Sequence, residues 1–289
     1  MKVCVTSYSF SKLIKKGELT QLGTIKAAKD LGFDGMEFSG ITPHDGSTQM
    51  EYAKKLREEA DKYGMPIVSF VCGADLANGR EGRNVEEEIA YVKEMVDIAA
   101  VLGVKTMRHD VLYSLGDAKS FDALVPTLAK RIDEIAEYAR AKGVKTCSEN
   151  HGFIFQDPDR CERLYNAVTS DNYGLLCDIG NFLCADADPV KAVSTVAPYA
   201  VFVHTKDFYV KPGNTDNPGD GFFTSRGGNY LKGTIVGHGN VPVKQCLGIL
   251  KKAGYDGFVS LEFEGMEENI EALTIGLKNL RRFISEIEA

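Results

Sequence analysis

One phrase recurs along the chain and limits what it can fold into. A stretch with helical apolar spacing ends in glycine, and a short run of β-branched and aromatic residues follows. It reads LGFDGMEF from Leu31, YGMPIVSF from Tyr63, LGVKTMRHD from Leu102, KGVKTCSENH from Lys142, YGLLCDIGN from Tyr173 and AGYDGFVSLEF from Ala253. Its glycines, Gly32, Gly64, Gly103, Gly143, Gly174 and Gly254, lie 32, 39, 40, 31 and 80 residues apart. The last gap is double the period and holds a further strand-like run, AVFVHTKDF from Ala200, while KVCVTSYSF precedes the first repeat. Glycine takes the left-handed conformation that closes a helix, and an apolar run after it reads as a buried strand. Between the strands, segments such as VEEEIAYVKEMVDIAAVLG carry apolar residues at helical spacing.

Strands are predicted at residues 3–9, 34–38, 66–72, 104–109, 144–149, 174–178, 200–205 and 257–263. Eight such βα units predict one α/β domain over residues 1–289, a (β/α)8 TIM barrel, a fold that typically takes about 250 residues. The competing architecture, an open doubly wound sheet, needs a glycine-rich nucleotide turn after the first strand, and SYSFSKL is not one. The stretch from Phe208 to Asn240 breaks the period and is rich in Gly, Asn, Asp and Pro. Loops of that length are usually functional lids or disordered, so residues 208–240 are expected to form a lid that brings Arg226 and His238 to a substrate.

Composition narrows the function classes. With 34 basic and 41 acidic side chains the formal charge is −7, which argues against a nucleic-acid binder that must neutralise phosphates. No apolar run approaches the ~20 residues of a membrane span, and the opening residues lack the basic and apolar regions of a secretion signal. Seven scattered Cys without a CxxC point away from a disulfide framework or structural zinc. The expectation is a cytoplasmic protein with a small-molecule partner.

In such a barrel the chemistry lies where strands run out into loops. Polar residues gather there: Ser7 and Tyr8, then Arg108, His109 and Asp110, then Glu149, Asn150 and His151, then Asp178 and Asn181, then His204, Lys206 and Asp207, and finally Glu262 and Glu264. All five histidines (His44, His109, His151, His204 and His238) fall at a predicted strand exit or in the loop beyond. Four consecutive strands offer Glu149, Asp178, His204 and Glu262. Adjacent strands are ~4.8 Å apart, so these side chains can converge on one ion. Three carboxylates and an imidazole suit Mn²⁺ first, with Mg²⁺, Co²⁺ and Zn²⁺ as alternatives. In the last strand Ser260, Glu262 and Glu264 share one face. Glu262 is the deeper and the expected ligand, and Glu264 is its alternative. Glu37, two residues after Gly35, is expected low in the barrel as a hydrogen-bonded structural residue. With no Trp in the chain, a sugar-stacking wall falls to Tyr8, Phe10, Phe153, Phe182 or Tyr209. Arg108, Lys206 and Lys232 are the cations that can attract a phosphate, although three carboxylates around a divalent ion favour an uncharged polyol.

These residues bring a family into view. The segments GFDGMEF, GVKTCSENHG, GLLCDIGNF, VFVHTKD and GFVSLEFEG span nearly the whole chain. They make it resemble the xylose-isomerase-like sugar phosphate isomerase/epimerase superfamily, which includes ketose 3-epimerases, hydroxypyruvate isomerase, inosose isomerases and dehydratases and, more distantly, endonuclease IV. The resemblance implies a metal held by Glu149, Asp178, His204 and Glu262, with Glu149 and Glu262 facing opposite sides of the reacting carbon. It also implies that Lys206 and Asp207, in an HxKD phrase, line the substrate, and it matches His151 to an ENH phrase. Asn181 stands where the epimerases carry a His, and no Arg follows His204 until Arg226. Both features depart from the ketose 3-epimerase pattern, and the HxKD and ENH phrases pull towards the inosose or keto-sugar branch.

The expected activity is a metal-dependent isomerase or epimerase that removes a proton next to the carbonyl of a keto-sugar or keto-polyol. Glu149 or Glu262 would act as base and His151 or Lys206 as acid. Tyr8, His109, Asn181, Asp207, Arg226 and His238 would bind substrate. The alternatives are a dehydratase, the metal-carrying subunit of a C-glycoside-cleaving heteromer, and a sugar-binding barrel without turnover; a homo-oligomer also fits.

Overall fold

The repeat becomes a ring of strands. The structure, a computed structural model, describes residues 1–289. Eleven strands run in chain order: β1 (Lys2–Thr6), β2 (Gly35–Ser39), β3 (Ile67–Cys72), β4 (Thr106–His109), β5 (Lys145–Glu149), β6 (Tyr173–Asp178), β7 (Ala200–Thr205), β8 (Asp207–Lys211), β9 (Phe223–Thr224), β10 (Tyr230–Thr234) and β11 (Phe258–Leu261). Eight of them pair in parallel in the order β1-β11-β7-β6-β5-β4-β3-β2 and close into a barrel. Nine helices surround it: α1 (Ser11–Lys15), α2 (Gly23–Leu31), α3 (Gln49–Tyr63), α4 (Val85–Leu102), α5 (Phe121–Arg140), α6 (Pro158–Ala167), α7 (Pro189–Val196), α8 (Val243–Lys252) and α9 (Asn269–Glu288). None is long and apolar enough to cross a membrane.

Local signals set the helix ends. Capping boxes, Thr48 with Glu51 and Asn84 with Glu87, open α3 and α4. Gly32, Gly64 and Gly103 close α2, α3 and α4 at φ 92°, 58° and 76°, where a side chain would be strained. Gly174 is the exception in the repeat. It lies inside β6, where a β-carbon would stand 2.5 Å from Val201 Cγ1, so it serves close strand packing.

Most apolar side chains fill the layer between barrel and helices. Inside the barrel a smaller plug forms from Cys4, Cys147, Leu176 and Phe202. Side chains alternate along a strand. Two residues beyond each plug member therefore lie Thr6, Glu149, Asp178 and His204, in the same lumen but nearer its mouth. The plug sets the floor of the site.

The segment expected as a lid is built on a small three-stranded sheet, with turns and loops making up the rest. β8 pairs antiparallel with β10, and β10 with β9. Phe208 and Leu231 pack with Cys184 beneath it. Its root is tied by Asp207, whose Oδ1 accepts from the backbone N–H of Phe208 at 2.9 Å and of Val241 at 3.0 Å, while Oδ2 accepts from Gly237 and Gly239, each at 2.9 Å. Its tip is clasped to the barrel loops. Arg226 donates twice to Asp157 at 2.6 Å, and Asp186 accepts from Ser225 Oγ at 2.6 Å and Asn229 Nδ2 at 2.7 Å.

Candidate metal centre and active site

Glu149 ends β5, Asp178 ends β6, His204 lies one residue before the end of β7, and Glu262 follows β11. One ligand atom from each lies within 4.8 Å of all the others. His204 Nδ1 is 3.5 Å from Glu262 Oε2, 3.9 Å from Glu149 Oε1 and 4.0 Å from Asp178 Oδ2. Backbone and amide contacts aim these groups. Asp178 Oδ1 accepts from the N–H groups of Gly180 and Asn181 at 2.8 Å, which directs Oδ2 inward. Asn150 brackets the Asp178 backbone, donating to its carbonyl and accepting from its N–H, each at 2.9 Å. Asn181 Nδ2 donates to Glu149 Oε1 at 2.8 Å. His204 Nε2 is bonded to Glu37 Oε2 at 2.7 Å, so Nδ1 faces the cluster.

Three buried atoms of this set, Asp178 Oδ2, His204 Nδ1 and Glu262 Oε2, make no hydrogen bond. Their one charged neighbour outside the set is Lys206, with Nζ 2.6 Å from Glu262 Oε2 and 3.2 Å from Asp178 Oδ2; it also stands 3.0 Å from Glu264 Oε1. Burial pushes the Asp178 carboxyl up to about 7, against Lys206 and with the charges of Glu149 and Glu262. Burial also works against ionised Glu262, but Lys206 and His204 overcome it and hold the group well below the usual carboxylate range. Crowded carboxylates that disfavour one another's charge, with unbonded atoms aimed at one point, fit a divalent cation. The donor set is hard to borderline, as such an ion requires.

A second network flanks this cluster. Buried Arg108 reaches Asp110 Oδ1 and Glu149 Oε2, each at 2.6 Å. Asp110 Oδ1 also meets His151 Nδ1 at 2.9 Å, and Tyr113 donates its hydroxyl to Asp110 Oδ2. Burial opposes the charge on Asp110, yet Arg108 and His151 drive its pKa below the usual range. Burial likewise lowers His151, but Asp110 outweighs it and the net shift is upward. The two networks share one cavity of about 210 Å³, whose lining includes Arg108, Glu149, His151, His204, Lys206 and Glu262, together with Tyr8 and Glu264. A wider groove of about 580 Å³ lies at the opposite end of the barrel beside Met1, Val3 and Arg281, without a convergent ligand set.

Of the residues expected to bind substrate, Tyr8 is in the cavity wall and Asn181 lies directly behind it against Glu149. The other four are placed elsewhere. His109 is fully buried and faces away from the lumen. It bonds the Asp110 carbonyl at 2.9 Å and stacks on Tyr173, because it follows the inward-facing Arg108 and so takes the opposite side of β4. Asp207 does not reach the site because both its oxygens are taken by backbone N–H groups. Arg226 belongs to the clasp on Asp157. His238 is exposed in the turn after β10. His44 pairs with the Tyr52 hydroxyl at 2.8 Å, leaving His151 and His204 as the two histidines of the cavity.

Among the aromatics, Phe10 and Phe182 are core residues, and Phe153 and Tyr209 are exposed outside the cavity wall. Lys232 lies beside the Phe222 ring on the antiparallel sheet. Glu262 lies deeper and joins the convergent set, whereas the more exposed Glu264 does not; both meet Lys206. Two residues that the sequence placed in or near the barrel gain specific partners. Asp110 organises Arg108 and His151, and Glu37 bonds His204. The alternation of β2, which sets Glu37 on one face with Gly35 and Ser39, was the available signal for the second.

The profile of the family described as xylose isomerase-like TIM barrel matches residues 25–283. Inosose dehydratase of Histophilus somni is 28% identical over 272 residues, covering 89% of this chain and 86% of that protein. Rhizopine catabolism protein MocC of Rhizobium meliloti is 26% identical, covering 88% and 78%. The crystal structure of the IolI protein with a bound zinc atom superposes with a TM-score of 0.76 over 99% of both chains at 20% identity.

Proposed function

The chain belongs to the xylose isomerase-like TIM-barrel family, and from that premise we propose a divalent-metal-dependent enzyme that removes a proton next to the carbonyl of a keto-sugar or keto-polyol, giving net isomerisation or epimerisation. The observation that carries this reading is the convergence of Glu149, Asp178, His204 and Glu262, with three unbonded buried atoms, at a barrel-mouth cavity whose wall includes Glu149, His204 and Glu262. When bound, a divalent ion would polarise the carbonyl and stabilise the negative charge that grows on its oxygen. Mn²⁺ is the ion proposed first from the ligand chemistry, with zinc next since the IolI structure holds it.

Glu262 and Glu149 are the two bases. Glu262 stands beside Lys206, and Glu149 beside Arg108. They reach the cavity from separate strands, and the family resemblance implies that they face opposite sides of the reacting carbon, where one would take the proton and the other return it. Return to the same carbon inverts it; return to the neighbouring carbon exchanges aldose and ketose. Lys206 and Arg108 hold the carboxylates in place and offset their charge. Both cations are already paired with carboxylates, which favours an uncharged substrate over a phosphorylated one. The cavity is also below the roughly 300–1,000 Å³ common for drug-sized ligands, a size suited to a small polyol.

A second reading, loss of a β-hydroxyl as water, draws on a specific feature. Asp110 raises the pKa of His151, which reaches the cavity wall, where its protonated form can donate to a departing hydroxyl. The 28% identity to a protein named inosose dehydratase supports it.

The test starts with metal content by plasma mass spectrometry for the wild type and His204→Ala. About one ion per chain, lost in the variant, is expected. Keto-sugars and keto-polyols are then incubated with enzyme in deuterium oxide. Deuterium in recovered substrate supports proton abstraction, and a product lighter by one water selects the second reading. A wild type that takes up no ion after soaking in Mn²⁺ overturns the proposal, as does turnover with no exchange.

A further inference from the structure

We infer that Glu37 is a positioning residue for the metal, holding the His204 ring so that Nδ1 rather than Nε2 is offered to the ion. The inference rests on the metal-site reading above. Glu37 sits on β2 and His204 on β7, with β1 and β11 between them in the barrel wall. The contact therefore spans the lumen rather than joining neighbouring strands. Glu37 Oε2 lies 2.7 Å from His204 Nε2 and accepts from Ser260 Oγ at 2.9 Å. Ser260 is the register partner of His204 on β11. One carboxylate oxygen thus faces both Ser260 Oγ and His204 Nε2, a geometry that favours an imidazole proton on Nε2. The ring is also gripped from below, where Phe202 of the plug stands edge-on to it at 5.9 Å.

The cost of this arrangement argues for a purpose. Glu37 is completely buried, and its Oε1 has no partner. No Lys or Arg comes within ion-pair distance of it; His204 is its single charged neighbour. A buried carboxylate without a Lys or Arg partner is costly, and the apolar plug beside it does not require one. An amide or hydroxyl would satisfy the floor more cheaply. What a carboxylate adds is a charge-assisted hydrogen bond to the imidazole N–H, which sets the tautomer and makes the opposite nitrogen a better ligand. That opposite nitrogen, Nδ1, is the one 3.5 to 4.0 Å from the Glu262, Glu149 and Asp178 oxygens. Nε2 is occupied by Glu37 and faces away from them.

The test uses the full chain stripped by chelator and titrated with Mn²⁺ by calorimetry, beside nitrogen NMR of the imidazoles in the protein loaded with Zn²⁺, which is diamagnetic. Glu37→Ala is expected to weaken Mn²⁺ binding by about 10–100-fold. Glu37→Gln keeps an acceptor oxygen and is expected to recover part of that loss. In Zn²⁺-loaded wild type, His204 should show zinc on Nδ1 and a slowly exchanging proton on Nε2. A merely structural Glu37 would lower the Tm without moving the His204 nitrogen shifts or the Kd. Zinc on Nε2, or Glu37→Ala binding Mn²⁺ within about threefold of wild type, overturns the inference while leaving the metal site standing. If Glu37→Ala does not fold, the wild-type NMR result decides alone. A wild type that binds neither ion, indistinguishable from His204→Ala, removes the site and this inference together.

Discussion

On the β4–β5 side of the mouth every carboxylate oxygen has a donor, whereas on the side of β6, β7 and β11 Asp178 Oδ2 and Glu262 Oε2 have only the Lys206 ion pair, and His204 Nδ1 has no hydrogen bond. Both sides bury charge at similar depth. The difference is that Arg108 presents a planar fork that bonds Asp110 and Glu149 together, with Tyr113, His151 and Asn181 covering what remains. Lys206 is a point charge facing Asp178, Glu262 and Glu264 at once, and it cannot match each lone pair. A satisfied network positions its members. An unsatisfied one at equal burial marks where a ligand completes the site.

The largest expected effect comes from breaking the unsatisfied side. Asp178→Asn removes a ligand, and bound metal should fall from about one per chain to near none. The loss should exceed the roughly 10–100-fold typical of an outer-shell change. Metal-free stability should move the other way. Asp178 has a raised pKa in the folded chain, so its ionised form opposes folding at pH values above the ordinary carboxyl range. The metal-free variant should therefore melt no lower than wild type at neutral pH. A lower Tm would mean that this side is a structural network like its neighbour, and the contrast would collapse.

The same operation on the satisfied side should do the opposite. Arg108→Met leaves Asp110 and Glu149 buried without their cation. Removing one partner of a buried pair typically costs about 3–5 kcal/mol, visible as a lower urea midpoint with or without metal. Behind this side, His109 supplies a pH test. Burial lowers its pKa to about 4, so the unfolded chain takes up a proton near pH 6.5 and the folded chain does not. Stability should then fall as pH drops from about 6.5 towards 4, by up to roughly 2–3 kcal/mol. His109→Gln should remove this part of the acid sensitivity while leaving the urea midpoint at pH 7.5 to reflect packing alone. If the acid slope survives the substitution, another group carries it.

The barrel and the convergent set were legible because both follow from local periodicity. The glycine-to-strand phrase repeats with the βα unit, and Glu149, Asp178 and His204 each sit two residues beyond a plug side chain, on the lumen face. Direction was harder to read than position. His109 lies at the right end of the barrel, but its neighbour Arg108 takes the inward side, so parity excludes it. Asp207 follows a residue that does reach the site, yet its oxygens are taken by N–H groups about thirty positions later in the chain. No local pattern encodes such a partner. The segment from Phe208 to Asn240 reads as a candidate lid because its glycines and prolines mask the short runs that pair as β8, β9 and β10. Glu37 was legible as a hydrogen-bonded floor residue, but its partner stands across the lumen on β7.

The smallest effect is expected at the clasp, and it tests whether the antiparallel sheet belongs to either side of the mouth. Arg226 is partly exposed, and its pair with Asp157 is at the rim. Exposed pairs of this kind contribute about 0.2–1 kcal/mol, and the two further bonds from Arg226 to the Phe153 and Ala185 carbonyls are long, at 3.3 Å. Arg226→Ala should therefore lower stability by no more than about 1 kcal/mol and leave Mn²⁺ binding unchanged. Amide exchange should quicken around residues 223–231, where the tip is released. Phe153 makes the outcome informative. It adopts φ 61°, its N–H donates to Gln156 Oε1 at 2.7 Å and its carbonyl accepts from Arg226, two residues along from His151. If the variant binds metal normally but turns over slowly, the clasp acts through the His151 loop, and the satisfied side of the mouth extends to the sheet tip. If turnover is also unchanged, the sheet is an anchored cover, and the chemistry ends at Asp110 and His151.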